Sequence, residues 1–249
     1  MLVRMNKNNK SLTLISHLVV LIVFICLCLL GTWQTNRYFA KDARMTSIAE
    51  KTAQTPFTLN EILGYRNEIK DLPVADTFFR LSQKWFWLDN RQIDGQVGYE
   101  LIIPAETNIG WVLINFGWVK GDTSRILLPE VSFLTTTPFT ATGRIVIPGM
   151  NRFVTETASN DGEFPKVIQQ VDFVRMSEFA DLPLRPFMLT LTDDDPNFVR
   201  RWTPVVMAAE KHLGYALQWY GLAFALVLIY WRLYRNVNKI DAKSFTSAE

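Results

Sequence analysis

The stretch EKHLGYALQWYGLAFALVLIYWRLYR, positions 210–235, decides the architecture. From Leu213 to Trp231 it carries no Lys, Arg, Asp or Glu, and so reaches the roughly 20 residues needed to cross about 30 Å of hydrocarbon. A second block, SLTLISHLVVLIVFICLCLL at 11–30, does the same at the other end of the chain. Hydrophobic residues make up 49 % of the 249, and these two blocks concentrate them. Apolar runs at opposite ends of a chain with a more polar middle are poor material for one soluble core. The first block follows a basic lead, MLVRMNKNNK, but is too long for a signal-peptide core and ends in LGTWQ rather than a small-x-small cleavage site. It reads as a retained anchor. The lead is also too short and too poor in Ser and Arg for an organelle transit peptide, which favours a bacterial inner membrane.

Charge orients the spans. The N-tail carries Arg4, Lys7 and Lys10 with no acid; the C-tail carries Arg232, Arg235, Lys239 and Lys243 against Asp241 and Glu249. The positive-inside rule therefore puts both termini in the cytoplasm and the middle outside, in the periplasm. Arg37, Lys41 and Arg44 on the outer flank oppose this, partly offset by Asp42. The expected layout is a cytoplasmic tail at 1–10, a first span at 11–33, an extracytoplasmic domain at 34–211, a second span at 212–232 and a cytoplasmic tail at 233–249. Between 36 and 211 there are 22 acids against 19 bases, so no basic stripe suggests nucleic acid. Both cysteines, Cys26 and Cys28, fall inside the first span. Two apart on a helix, they point about 200° from each other and cannot grip one metal ion.

The middle reads as β-rich. TPFTLNEILGY predicts a short helix, with Thr58 and Glu61 at capping-box spacing. Then come FFRLSQKWFWLD, a tight turn at Asp94-Gly95, GYELIIP, a turn at Asn108-Ile109-Gly110, and WVLINFGWV. FTATGRIVIP, KVIQQVD and PFMLTLT follow as strands, and DFVRMSEFADL as a second short helix capped by Asp172 and ended by Pro183. The fold class expected is an α+β membrane protein: a two-helix transmembrane hairpin carrying a β-rich, barrel- or sandwich-like extracytoplasmic domain.

Catalytic inventories come up empty. There is no G-x-S-x-G, H-E-x-x-H or Gly-rich phosphate loop, and the middle of the chain holds no Cys, its only nearby His being His212 at the membrane edge. A Ser-His-Asp triad or a multi-histidine metal site is excluded there, and no carboxylate pair is marked for a hydrolase. Asp193-Asp194-Asp195-Pro196-Asn197 lacks the ligand spacing of a calcium loop and reads as an acidic turn. The chain is expected not to be an enzyme.

The informative residues gather where the two spans emerge. The first leaves through Trp33, Gln34, Arg37 and Lys41; the second enters through His212, Tyr215, Gln218 and Trp219. An aromatic belt with snorkelling bases accounts for Trp33, Tyr215, Trp219, Arg37 and Lys41. Gln34, Gln218 and His212 fit that account less well, because an unpaired polar group in lipid is costly. At 100° per residue, Gly214, Gln218, Gly221 and Ala225 share one side of the second helix, a small-residue face expected to pack on the first span. His212, Tyr215 and Trp219 fall opposite. An imidazole beside two aromatics is either an interface histidine or a seat for a flat amphipathic ligand such as a haem lying away from the helix seam. His17 lies about 20 Å deeper, so one iron cannot take both histidines.

Four motifs occur in order: L-G-x-W-Q-x-x-R-x-x-x-K at 30–41, G-Y-x-L-x-x-P at 98–104, N-x-G-W-V at 115–119 and H-L-G-Y-A-L-Q-W-Y-G-L-A at 212–223. The series resembles the surfeit locus protein 1 family of cytochrome c oxidase assembly factors over nearly the whole chain. The resemblance implies a membrane-bound helper for haem a insertion into cytochrome c oxidase subunit I, working with other oxidase assembly proteins. It implies His212 as a haem-iron ligand, and His212, Tyr215, Trp219, Trp33, Gln34 and Arg37 as the cofactor-binding set. One departure is Phe116, where the family usually has Arg. A generic two-span scaffold or sensor, binding a partner through its extracytoplasmic domain, is the alternative.

Overall fold

A computed structural model describes residues 7–122, 127–130, 138–159, 163–202 and 208–246. Of the tail charges that orient the spans, Arg4 and Glu249 lie outside the described residues, as do the side chains of Lys7, Lys10, Lys239, Asp241 and Lys243. The chain divides into two compact units, Met1–Ser47 with Val205–Glu249, and Ile48–Pro204.

The first unit is built from two long helices. α1 runs Lys7–Thr52 and so continues well past Trp33, while α4 runs Ala209–Thr246. Both are long and apolar enough to cross a membrane, with windows of mean hydropathy 2.9 and 1.5. Only 6 % and 11 % of those windows is buried inside the protein, unlike the core helix of a soluble domain. The helices run antiparallel: Gln34 meets His212, Thr32 meets Tyr220 and His17 meets Tyr230.

The packed stripe on α4 is Ala209, His212, Ala216, Trp219, Ala223, Leu226 and Tyr230, buried or half-buried at alternating spacings of three and four. Val20, Phe24, Leu27, Gly31, Gln34 and Tyr38 repeat that rhythm on α1. This is the spacing of a left-handed coiled-coil seam. The Gly214–Gln218–Gly221–Ala225 face expected there is not the seam. Gly214, Gln218, Gly221 and Ala225 are all exposed, and a Cβ added at Gly214 or Gly221 would meet nothing within 4 Å. Ala216 and Ala223 supply the small residues on the opposite face. Gly31 of α1 makes room for the Tyr220 ring, which would lie 2.7 Å from a Cβ there.

The second unit holds α2 (Leu59–Gly64), α3 (Phe173–Ala180) and eight strands. These are β1 Pro73–Phe78, β2 Arg80–Leu81, β3 Phe86–Ile93, β4 Gln96–Thr107, β5 Gly110–Lys120, β6 Phe139–Val146, β7 Lys166–Ile168 and β8 Leu184–Leu191. They form one sheet in the order β1-β6-β8-β5-β4-β3-β7, with β2 paired to β4. Among the described residues the path stays open, so the strands make neither a closed barrel nor two stacked sheets. The pairs β3–β7 and β5–β8 are parallel, the rest antiparallel.

Period-two alternation sorts the central strands onto two cores. Leu101, Ile103 and Ala105 of β4, with Val112, Ile114 and Phe116 of β5, face one core that also takes Leu59 and Ile62 of α2. Ile102 and Leu113 face the other, with Phe86, Leu88, Ile168 and Met188, closed by Met176 and Ala180 of α3. Burial on both faces explains why LIIPA and VLIN read as nearly unbroken apolar runs. Each fully buried Leu or Ile there stabilises the fold by roughly 1.5–3 kcal/mol.

Local signals held where they were local. Thr58 Oγ1 accepts from Glu61 N–H, and the Glu61 carboxylate accepts from Thr58 N–H at 2.7 Å, a complete capping box. Asp94 and Gly95 both have positive φ, 51° and 76°, as a type I′ hairpin turn requires. Asp172 caps α3, which ends in Asp181 at φ 55°, a left-handed cap two residues ahead of Pro183.

Candidate functional site

The middle motifs turn out to be architecture. Gly98 on β4 pairs with Lys120 on β5, and a Cβ there would sit 2.1 Å from the Val119 carbonyl oxygen, so only glycine fits. Opposite Leu101 and Ile102 the register shifts at Gly117, whose φ of 122° forms the bulge. Asn115 holds that bulge from both sides: its Oδ1 accepts from Gly117 N–H at 2.9 Å and its Nδ2 donates to Glu100 Oε2 at 2.6 Å. The bulged edge bridges to Val199, next to Arg200.

Phe116 is 4 % exposed, with its ring centroid 6.2 Å from that of Phe139 and 6.0 Å from that of Phe198. In this chain position 116 belongs to the core and presents nothing to a partner. Its carbonyl accepts from Arg200 Nε at 2.8 Å. The same guanidinium donates to the Asp193 carbonyl at 2.7 Å and to Asp195 Oδ2 at 3.0 Å. Asp193 Oδ2 accepts from Thr142 N–H, and Asp195 Oδ1 from Asn197 N–H. An open cavity of about 390 Å³ is lined by Asp194, Asp195, Pro196, Phe198 and Arg200. Burial lowers the Arg200 pKa, and Asp195, Asp193 and Asp194 oppose that shift. The acidic run is thus a turn tied down by an arginine. No cluster of metal-ligating side chains occurs among the described residues.

The helix pair is different. His212 is 8 % exposed, one turn into α4, and its Nδ1 lies 2.8 Å from Gln34 Oε1 on α1. Its Nε2 is buried with no hydrogen-bond partner among the described residues, an uncommon state for a buried polar atom. Of the six residues singled out by sequence, the structure joins these two directly. Trp219 lies on the same packed stripe, half-buried. Tyr215 is 46 % exposed and sits on the flank of that stripe, while Trp33 and Arg37 are exposed on α1. The expectation that His212 faces away from the seam is therefore wrong: the ring lies within it, on the face where Ala216 and Ala223 let the helices close.

Two polar contacts that sequence reasoning missed extend the seam inward. Tyr220 Oη is 3.1 Å from Thr32 Oγ1, which also donates to the Cys28 carbonyl. Tyr230 Oη hydrogen-bonds His17 Nδ1, and the His17 ring meets Tyr230 and Tyr234 edge-on at 5.6 and 6.2 Å. Three-four spacing from 209 to 230 was the signal available in the sequence. What the arrangement offers chemically is one nitrogen, oriented through its ring partner and shielded from water.

A model of the SURF1 family matches residues 21–224, from inside the first helix to inside the last. A SURF1-like protein of Rickettsia bellii (strain RML369-C) is 28 % identical over 229 residues, covering 89 % of this chain and 91 % of the relative. Another, from Rickettsia felis (strain ATCC VR-1525 / URRWXCal2), is 28 % identical over 234 residues, covering 89 % and 98 %. All four motifs fall within the matched region, and on that match the chain belongs to the SURF1 family.

Proposed function

We propose that this protein is a membrane-anchored assembly factor for haem-copper cytochrome c oxidase that assists delivery of haem a into subunit I without turning over a substrate itself. The observation that carries the reading is the buried Nε2 of His212, without a hydrogen-bond partner among the described residues, in a chain of this family. A free imidazole nitrogen is the kind of donor that would hold a haem iron. Bound, haem a would supply an iron that accepts that nitrogen and a flat apolar ring. Trp219, Tyr215 and Trp33 would cover the ring, and Arg37 would meet its carboxylates. Gln34 touches His212 rather than the ligand.

The two apolar helices and the tail charges support an inner-membrane placement with both termini cytoplasmic and the β unit periplasmic. Oxidase subunit I and other assembly proteins are the partners this reading requires.

Purification from cells that make haem a, followed by an absorption spectrum, tests it. His212→Ala is expected to lower haem affinity by more than about 100-fold, beyond the loss typical of removing an outer-shell partner. His17→Ala is expected to change it less than about twofold, because His17 lies about 20 Å deeper along the helices, out of reach of an iron held at His212. Full haem content in the His212 variant, with unchanged bands, would return the histidine to a packing role and favour a scaffold that binds partners only.

A further inference from the structure

We propose that Gln34 is the positioning residue of this site: it fixes the His212 tautomer so that Nε2 keeps its lone pair. This rests on the reading of His212 as an iron ligand. The amide oxygen of Gln34 can only accept, so the hydrogen of the 2.8 Å contact sits on Nδ1. A proton on Nε2 would be a buried donor with no acceptor among the described residues, and such a group is costly. Geometry and desolvation therefore select the same form, Nδ1–H with a bare Nε2.

An acceptor on the non-ligating nitrogen does two further things. It holds the plane of the ring, and it sets which nitrogen is left to ligate, as outer-shell partners of metal-bound histidines do. Here the acceptor and the donor sit on different helices, Gln34 on α1 and His212 on α4. The ligand is thus prepared only when the two helices pair. Neither segment alone selects the tautomer. The same closure shields Nε2 from water, so this arrangement holds the donor ready but covered, and loading requires the ring or the seam to move.

The chain has two histidines, so ¹⁵N-histidine NMR of the full-length His17→Ala protein in lipid nanodiscs reports His212 alone. Without haem, the expected spectrum shows a protonated Nδ1 and an unprotonated Nε2. Gln34→Met, close in shape but without an acceptor, is expected to move the proton wholly or partly to Nε2. Gln34→Glu, whose ionised carboxylate only accepts, should restore the proton on Nδ1. Titration with haem a is then expected to show affinity reduced about 10–100-fold in Gln34→Met and recovered in Gln34→Glu. A protonated Nε2 in the parent, or an unaltered pattern in Gln34→Met, would overturn the proposal. Should the pattern shift as expected while His212→Ala binds haem like the parent, the ligand reading fails and takes Gln34's role in ligation with it. The haem-free spectrum tells those two failures apart.

Discussion

In the β unit, the motif residues complete one another. Gly98 lets β5 approach, Gly117 makes the bulge, and Asn115 ties that bulge to Glu100 with both ends of its amide. In the helix pair the motif residues also meet, Gln34 with His212, but the contact leaves one ring nitrogen over. Both regions carry specific residue patterns at specific spacings. In the first the pattern is explained once the backbone is drawn, and in the second a donor remains that packing does not use. A motif earns a functional reading when its polar atoms are not exhausted by the fold.

The strongest way to break this contrast is at Gly98. A Cβ 2.1 Å from a backbone carbonyl cannot be accommodated by a side-chain swing, because the obstacle is β5 itself. Gly98→Ala should destabilise the β unit by about 3 kcal/mol or more, above the usual overpacking range. Gly64→Ala, where an added Cβ meets nothing within 4 Å, should stay within about 0.5 kcal/mol. Thermal unfolding of the two variants followed by near-ultraviolet circular dichroism measures the difference. Equal midpoints would mean that the G-Y-x-L-x-x-P glycine is not architectural and has to be explained by something it binds.

Within the helix pair the corresponding contrast is between Gly31 and Gly221. Gly31→Leu would drive a side chain into the Tyr220 ring and displace its contact with Thr32. The expected cost is about 1–3 kcal/mol, reduced by roughly 1 kcal/mol of helix propensity gained on replacing glycine. Gly221→Leu faces open space and keeps only the propensity gain. Cross-linking yield between cysteines placed at Gln34 and His212, which are in contact across the seam, with Cys26 and Cys28 replaced by Ser, is compared in the two backgrounds. A larger loss in Gly221→Leu would move the seam to the small-residue face and His212 out of it.

That last point marks where the sequence stopped being readable. The capping box at Thr58 and Glu61, the Asp94-Gly95 turn and the cap at Asp172 are settled within four residues, and each is found in place. β1 was not anticipated. Its residues Pro73–Phe78 are buried at the ends and half-buried between, and the strand forms by pairing with β6 more than sixty residues away. Whether a run of strands closes depends on such pairings, which is why a barrel or a sandwich was expected and an open sheet is found. On α4 the helical angles were right and the choice of face was not. Small residues favour a helix seam, but here Ala216 and Ala223 line it, and Gly31 on the other helix admits the Tyr220 ring. His212 was legible as a candidate from its type and place. Its confinement by Gln34 depends on the register of two helices 178 positions apart in sequence.

The smallest expected effect belongs to the exposed cap of α2, where a polar side chain is again fully used by the fold. Hydrogen bonds from the Thr58 backbone first and its hydroxyl second hold the Glu61 carboxyl below the ordinary glutamate range, against a minor opposing effect of burial. A carboxyl whose folded-state pKa is depressed binds its proton less readily in the native than in the unfolded protein. Its contribution is therefore complete above the ordinary glutamate pKa and is lost as pH falls through the lowered folded value. Glu61→Gln keeps a capping-box side chain but has no carboxyl to titrate. At neutral pH it should be slightly less stable than the parent, and the gap should shrink on acidification below the ordinary glutamate range. Denaturant midpoints of the parent and the variant across that acid range measure this. A gap that stays constant or widens would show that the cap acts through shape alone, and that charge at the start of α2 adds nothing to the β unit.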